Sequence, residues 1–171
     1  MIDRINYFLN AKRQRYAWII GGVLWLTWLI NIIGGKGILD LSGNNKGTDF
    51  MAYFTAGKII LSGLSHELYN LELVNSIQQG LYVASAPGFY PYLYPPQYAM
   101  FMVPFALLPY NIAYLVWVLL GLASLWLSIK WLGIQKPLLI LLFSLTWFPV
   151  FATVSFGQNS FFSLAIFSLT Y

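Results

Sequence analysis

The chain has 171 residues, of which 59% are hydrophobic, 19% aromatic and only 8% charged. Soluble domains carry about 25% charged residues. The composition therefore excludes a cytosolic globule, a disordered tail and a nucleic-acid module, and points to a membrane protein. The net charge is +4 and there is no cysteine, which excludes disulfides, thiolate catalysis and Cys-based metal sites.

Residues 1–15 form a basic amino terminus with Arg4, Lys12, Arg13 and Arg15. No aromatic base-stacking platform surrounds this cluster, so nucleic acid is not an expected partner. Such charges stay on the cytoplasmic side of a membrane. Residues 16–33 follow without a charge. At about 1.5 Å per residue they cover roughly 27 Å, the thickness of a bilayer core. The run is longer than a signal-peptide core, and no small-residue cleavage site follows, so it reads as an uncleaved transmembrane helix. Gly34-Gly35-Lys36-Gly37 is its stop.

Residues 34–96 hold Asp40, Asp49, Glu67, Glu72 and the single histidine, His66. The charge rule puts this stretch outside the cytoplasm. Two short helices are predicted within it, over about 50–62 and 71–82. The first sets Phe50, Tyr53, Phe54, Gly57, Ile60 and Leu61 on one face, and Thr55, Lys58 and Ser62 on another. That pattern suits a helix lying along the membrane interface. The second has a stripe of Leu71, Val74, Ile77 and Leu81, with Asn70 as its N-cap. Gly63 separates the two. Residues 87–96, Pro-Gly-Phe-Tyr-Pro-Tyr-Leu-Tyr-Pro-Pro, hold four prolines and read as a stiff, aromatic-lined loop.

Residues 97–171 supply further membrane helices. The run 97–108 is short for a crossing. Crossing there would leave Lys130 and Lys136 outside, whereas a dip or half-crossing would leave them inside, as the charge rule prefers. Residues 112–129 make a full span, 137–150 a shorter apolar run, and Ser155-Phe156-Gly157-Gln158-Asn159-Ser160 a break before a last apolar stretch. The fold expected is all-α, a polytopic α-helical membrane protein. The apolar run reaching Tyr171 suggests the amino-terminal part of a larger one.

Asp49, in Gly47-Thr48-Asp49-Phe50, is the leading candidate for chemistry. A carboxylate there could take the proton of a sugar hydroxyl, as a general base does. Capping at a helix start is the competing structural role. Asp40 reads as a turn residue, and Glu67 and Glu72 as solvated helix residues. His66 has no second histidine, so no metal site is assigned; no cofactor is required, and a divalent metal is left open. Lys58 could meet lipid phosphate or snorkel. Gln158 and Asn159, at a break in an apolar run, could line a polar cavity or cap a helix. No phosphate loop, Ser-His-Asp order or zinc motif is present.

The ordered combination Gly47-Thr48-Asp49-Phe50-x-x-Tyr53-x-x-Ala56-Gly57, Leu68-Tyr69, Tyr94-Pro95-Pro96, Pro104-Phe105-Ala106-Leu107-Leu108-Pro109, Trp117 and Gly157-Gln158-Asn159 resembles glycosyltransferase family 87 of the GT-C superfamily. Its relatives include polyprenol-phosphate-mannose-dependent mannosyltransferases. The resemblance implies a GT-C-like amino-terminal part of a multi-pass protein of the bacterial plasma membrane. It implies inverting transfer of a hexose such as mannose from a polyprenyl-phosphate donor to a lipid or glycan acceptor outside the cytoplasm. Asp49 would be the catalytic base, and Tyr53, Tyr94, Gln158 and Asn159 would help form the substrate cavity. Lys58 is a candidate for the phosphate. Activity would need the full-length protein. Two other readings stay open: a transporter or flippase fragment with broken helices around a polar site, and a non-catalytic membrane assembly subunit.

Overall fold

The computed structural model describes residues 11–82 and 88–170; Arg4 and the rest of 1–10, Pro87 and Tyr171 lie outside the described residues. Those described are helical, with no strand among them beyond a single bridge between Leu39 and Asn45. The helices are α1 (Ala11–Gly34), α2 (Thr48–Leu61), α3 (Leu71–Gln79), α4 (Pro96–Phe101), α5 (Val103–Ala106), α6 (Tyr110–Trp131), α7 (Pro137–Ser144), α8 (Phe148–Phe156) and α9 (Ser160–Thr170). The protein is an all-α membrane protein. Among the described residues α1 and α6 are long and apolar enough to cross a bilayer, and α7 with α8 makes a third such path bent by 73°.

α1 keeps most of its apolar surface exposed, as a lipid-facing helix does. It touches the rest of the protein mainly through Trp25 and Trp28, whose rings meet Phe151 edge to face at centroid distances of 5.3 and 6.5 Å. The indole N–H of Trp25 donates to the Leu145 carbonyl at 2.7 Å. That carbonyl sits in the break between α7 and α8. In an unbroken helix its partner would be residue 149, but Pro149 has no N–H to give. The indole takes over the orphan acceptor beside the middle of α1, where a bilayer offers no water. The apolar run 137–150, predicted as one segment, is therefore two helices.

The core is built around α2. Phe50, Met51, Tyr53, Phe54, Ala56 and Ile59 are all buried. So is Thr55, which the helical spacing puts on a polar face. Its hydroxyl donates to the Met51 carbonyl at 2.8 Å, four residues back, so the group is satisfied without solvent. Trp117 of α6 is 1% exposed and is the hub. Its ring lies 5.8 Å from Phe50, 5.3 Å from Phe105 and 4.4 Å from Phe162, tying α2, α5 and α9 to α6. Such ring pairs contribute about 0.5–1.5 kcal/mol each beyond burial.

The run 97–108 forms two short pieces, α4 and α5, packed on α2. At about 1.5 Å per residue neither piece approaches a bilayer thickness. α3 starts as its spacing predicts: Asn70 accepts from the backbone N–H of Glu72 at 3.0 Å and of Leu73 at 3.3 Å.

Candidate active site

Asp49 is the second residue of α2. The helix is entered through Gly47, with φ +72°, a left-handed conformation costly for other residues. A Cβ on Gly47 would also come within 2.5 Å of the Tyr114 ring. The cap residue thus lies flat on α6, and no side chain caps α2. Asp49 is not the N-cap.

The carboxylates divide sharply by their partners. Asp40 accepts from Asn31 Nδ2 at 3.0 Å and from the Asn44 backbone N–H at 2.9 Å, which makes it the organiser of a turn. Glu67 accepts from Asn70 Nδ2 at 2.8 Å. Asp49 is half-buried and accepts no hydrogen bond among the described residues. Asp49 lines a cleft of about 260 Å³ with Thr48, Ala52, Tyr53, Tyr90, Pro91 and Tyr94; Phe89 and Leu93 complete the wall.

The far wall of the cleft is the proline-rich loop, which the structure describes from Gly88 onward as irregular backbone. Side chains hold it in place. Gln78 of α3, fully buried, donates through Nε2 to the Tyr90 carbonyl at 2.7 Å and accepts from the Tyr90 N–H at 3.0 Å. That amide satisfies both backbone groups of Tyr90, as a neighbouring strand would. Tyr69 donates to the Tyr94 carbonyl at 2.9 Å, and Tyr92 to the Pro95 carbonyl at 2.8 Å. Tyr53 donates to the Tyr94 hydroxyl at 2.9 Å, closing the cleft floor. Burial first, then that hydrogen bond, with Tyr94, Tyr98 and Asp49 nearby, pushes the Tyr53 phenol well above its ordinary range. It therefore stays a neutral donor.

Of the predicted site residues, the cleft gathers Asp49, Tyr53 and Tyr94. Lys58 lies further along α2, with its Nζ 5.4 Å from the centre of the Phe54 ring. Gln158 lines a crevice of about 10 Å³ with Trp117, Val118 and Phe161. Asn159 faces an apolar groove with Tyr98, Trp131 and Phe162. None of the three lines the Asp49 cleft. The Gly157-Gln158-Asn159 turn still bears on Asp49 through its backbone. Gly157 ends α8 at φ +71°, its carbonyl accepts from Trp117 Nε1 at 2.9 Å, and a Cβ there would lie 2.6 Å from that of Phe50. The turn is pressed against the residue next to Asp49.

Ala52 and Tyr90 line the cleft and Gln78 holds its loop, and the sequence patterns did not single out these three. The only pointer to Tyr90 is its place in the proline-flanked aromatic run; Gln78 reads as one more polar helix residue. Among the described residues no three His, Asp or Glu side chains converge as a metal site would require.

Residues 92–171 match the model of Glycosyltransferase family 87. Asp49 and α2 precede the matched stretch. No curated protein and no solved structure matches the chain.

Proposed function

We propose, from the match of residues 92–171 to the glycosyltransferase family 87 model, that the chain is part of an inverting membrane hexosyltransferase. It would move a sugar such as mannose from a polyprenyl-phosphate donor to a lipid or glycan acceptor outside the cytoplasm, with Asp49 as general base. The observation that supports this reading is Asp49: a half-buried residue, its carboxyl without a hydrogen-bond partner among the described residues, on the wall of an aromatic cleft.

The step balances simply. The acceptor hydroxyl oxygen attacks the anomeric carbon from the face opposite the phosphate. Its proton passes to Asp49. The bond between the anomeric carbon and the phosphate oxygen breaks, and polyprenyl phosphate leaves with the electron pair. One displacement inverts the anomeric centre. A base in this role is worth about 10²–10⁴-fold in rate. The tyrosine walls suit a sugar ring, which has apolar faces and polar edges, and the neutral Tyr53 supplies a hydroxyl to the floor.

The layout also suits a lipid-borne donor. With the basic end of α1 inside, residues 34–109 would stand outside, since α4 and α5 are too short to cross. α6 would return the chain, leaving Lys130 and Lys136 inside, as the charge rule prefers. The bent pair α7 and α8 would then cross outward again, delivering Gly157 to Phe50. Asp49 falls at the outer boundary in this path.

The test is transfer by the full-length protein in liposomes supplied with a polyprenyl-phosphate hexose. Product with inverted anomeric configuration supports the proposal. Retention of configuration, or transfer only from a nucleotide sugar, contradicts it.

A further inference from the structure

A second site stands on the other side of the α2 entry. α1 and α6 leave between them a groove of about 550 Å³, walled by Trp28 and Leu29 from α1 and Leu115 and Val118 from α6. Its lining is almost wholly apolar, and Leu29 and Leu115 are exposed, so the groove opens to the bilayer. Its polar residues are Lys46, Asn111 and Tyr114. The Tyr114 hydroxyl is already engaged, donating to the Val154 carbonyl at 2.9 Å.

Lys46 is unusual for a lysine: it is only 7% exposed. Lysine almost never buries unless paired. Its Nζ donates to the Gly37 carbonyl at 2.9 Å, and among the described residues no carboxylate stands within 4.0 Å of it. Asp40, the acidic residue electrostatically coupled to it, spends its oxygens on Asn31 and Asn44. The backbone at Lys46 is fixed as well. Its carbonyl accepts from the Tyr110 hydroxyl at 2.6 Å, and its N–H donates to Ile38 at 3.0 Å. Asn111 donates to the same Gly37 carbonyl at 2.9 Å, beside Lys46. A part-buried ammonium with one neutral hydrogen-bond partner and no carboxylate in contact, only the more distant Asp40, has room for an anion.

We propose that this groove binds an anionic glycerophospholipid of the outer leaflet, one acyl chain lying between α1 and α6 and the phosphate pairing with Lys46. The anion supplies the direct charged contact that Asp40 does not make, and the chain fills the apolar walls. Gly37 lies three residues beyond the end of α1, which is the depth of headgroups if α1 spans. The groove and the Asp49 cleft share no lining residue, so the two are separate sites. The inference rests on the membrane placement of α1 and α6 and not on the role of Asp49.

The test is retention of phosphatidylglycerol by the purified full-length protein, read by native mass spectrometry. Wild type should keep one phosphatidylglycerol. Lys46→Gln should lose it by about tenfold or more in affinity, since it strips one partner from a part-buried charge pair, and Lys46→Arg should keep it. Equal retention by Lys46→Gln, equal retention of phosphatidylethanolamine, or recovery of a polyprenyl phosphate in its place would each overturn the proposal. A measurement on the unaltered chain guards against misfolding of the variant. Brominated phosphatidylglycerol in nanodiscs should quench Trp28 more than brominated phosphatidylethanolamine does, with Trp28→Phe as the blank. Equal quenching overturns the assignment.

Discussion

Tyr53 and Tyr94 meet edge to face, ring centres 5.0 Å apart, and the Tyr53 hydroxyl donates to that of Tyr94 at 2.9 Å. This contact joins the helix that carries Asp49 to the loop that forms the opposite wall of the cleft. Replacing either tyrosine by phenylalanine removes the same bond. Each change should lower stability by about 1 kcal/mol. The double substitution should cost less than the sum, because one interaction is lost twice over. Melting of the four proteins in detergent gives the coupling; strict additivity would show that the bond carries no stability.

Gln78 should matter more than its position on a nine-residue helix suggests. Its side chain satisfies both backbone groups of Tyr90 while fully buried. Gln78→Leu leaves both without that partner, at about 1–3 kcal/mol each if they stay buried. The loop should then loosen. Limited proteolysis should cut near Tyr90 sooner in Gln78→Leu than in wild type, and KM for the donor should rise more than kcat falls. Unchanged cleavage would mean that the prolines alone hold the loop.

The buried tyrosines set an alkaline limit. Burial pushes Tyr82 up to about 12 and holds Tyr53 and Tyr92 further above their ordinary value of 10.0. A raised folded-state value means that the folded protein keeps its protons longer than the unfolded chain. The corresponding stability is fully present below pH 10.0 and is lost as pH rises toward the folded values. Tyrosinate absorbance should therefore rise together with loss of helix above that pH. Full ionisation of these three residues in a protein with intact circular dichroism would refute the assignment.

Trp25 supports the broken path of α7 and α8. Trp25→Phe keeps a ring beside Phe151 but leaves the Leu145 carbonyl without its donor. The expected cost is about 0.6 kcal/mol, the average for interhelical hydrogen bonds within bilayers, and at most about 1.7 kcal/mol. Steric-trapping or unfolding in mixed micelles reads it directly. A variant as stable as wild type would show that water or another group reaches the carbonyl.

Much of this architecture is legible before any coordinates. The charge-free run 16–33, the Asn70 cap and the aromatic proline loop each follow from local chemistry with one low-energy outcome. Asp49, Tyr53 and Tyr94 are separated in sequence, but the Gly47 turn and the prolines already constrain where each one points. The break after Ser144 is not legible in the sequence. Leu, Ile and Phe on both sides hide it, and Pro149 acts on a carbonyl whose replacement partner sits 120 residues away in α1. Thr55 is hidden for a related reason. A polar side chain reads as a solvated face until a tertiary partner, or its own helix backbone, is seen to satisfy it. Gln158 and Asn159 read as cavity residues in sequence; in the fold they line a crevice and a groove apart from the Asp49 cleft, and the Gly157 carbonyl of their turn is held by Trp117.

Single-turnover transfer by the full-length Asp49→Asn protein bears most directly on the central claim. Asparagine keeps the shape of the side chain and removes its capacity to accept the hydroxyl proton. Transfer from a polyprenyl-phosphate hexose should fall by about 10²–10⁴-fold while membrane abundance, melting and donor binding stay at wild-type levels. Turnover by that variant within a few-fold of wild type would show that some other group takes the proton.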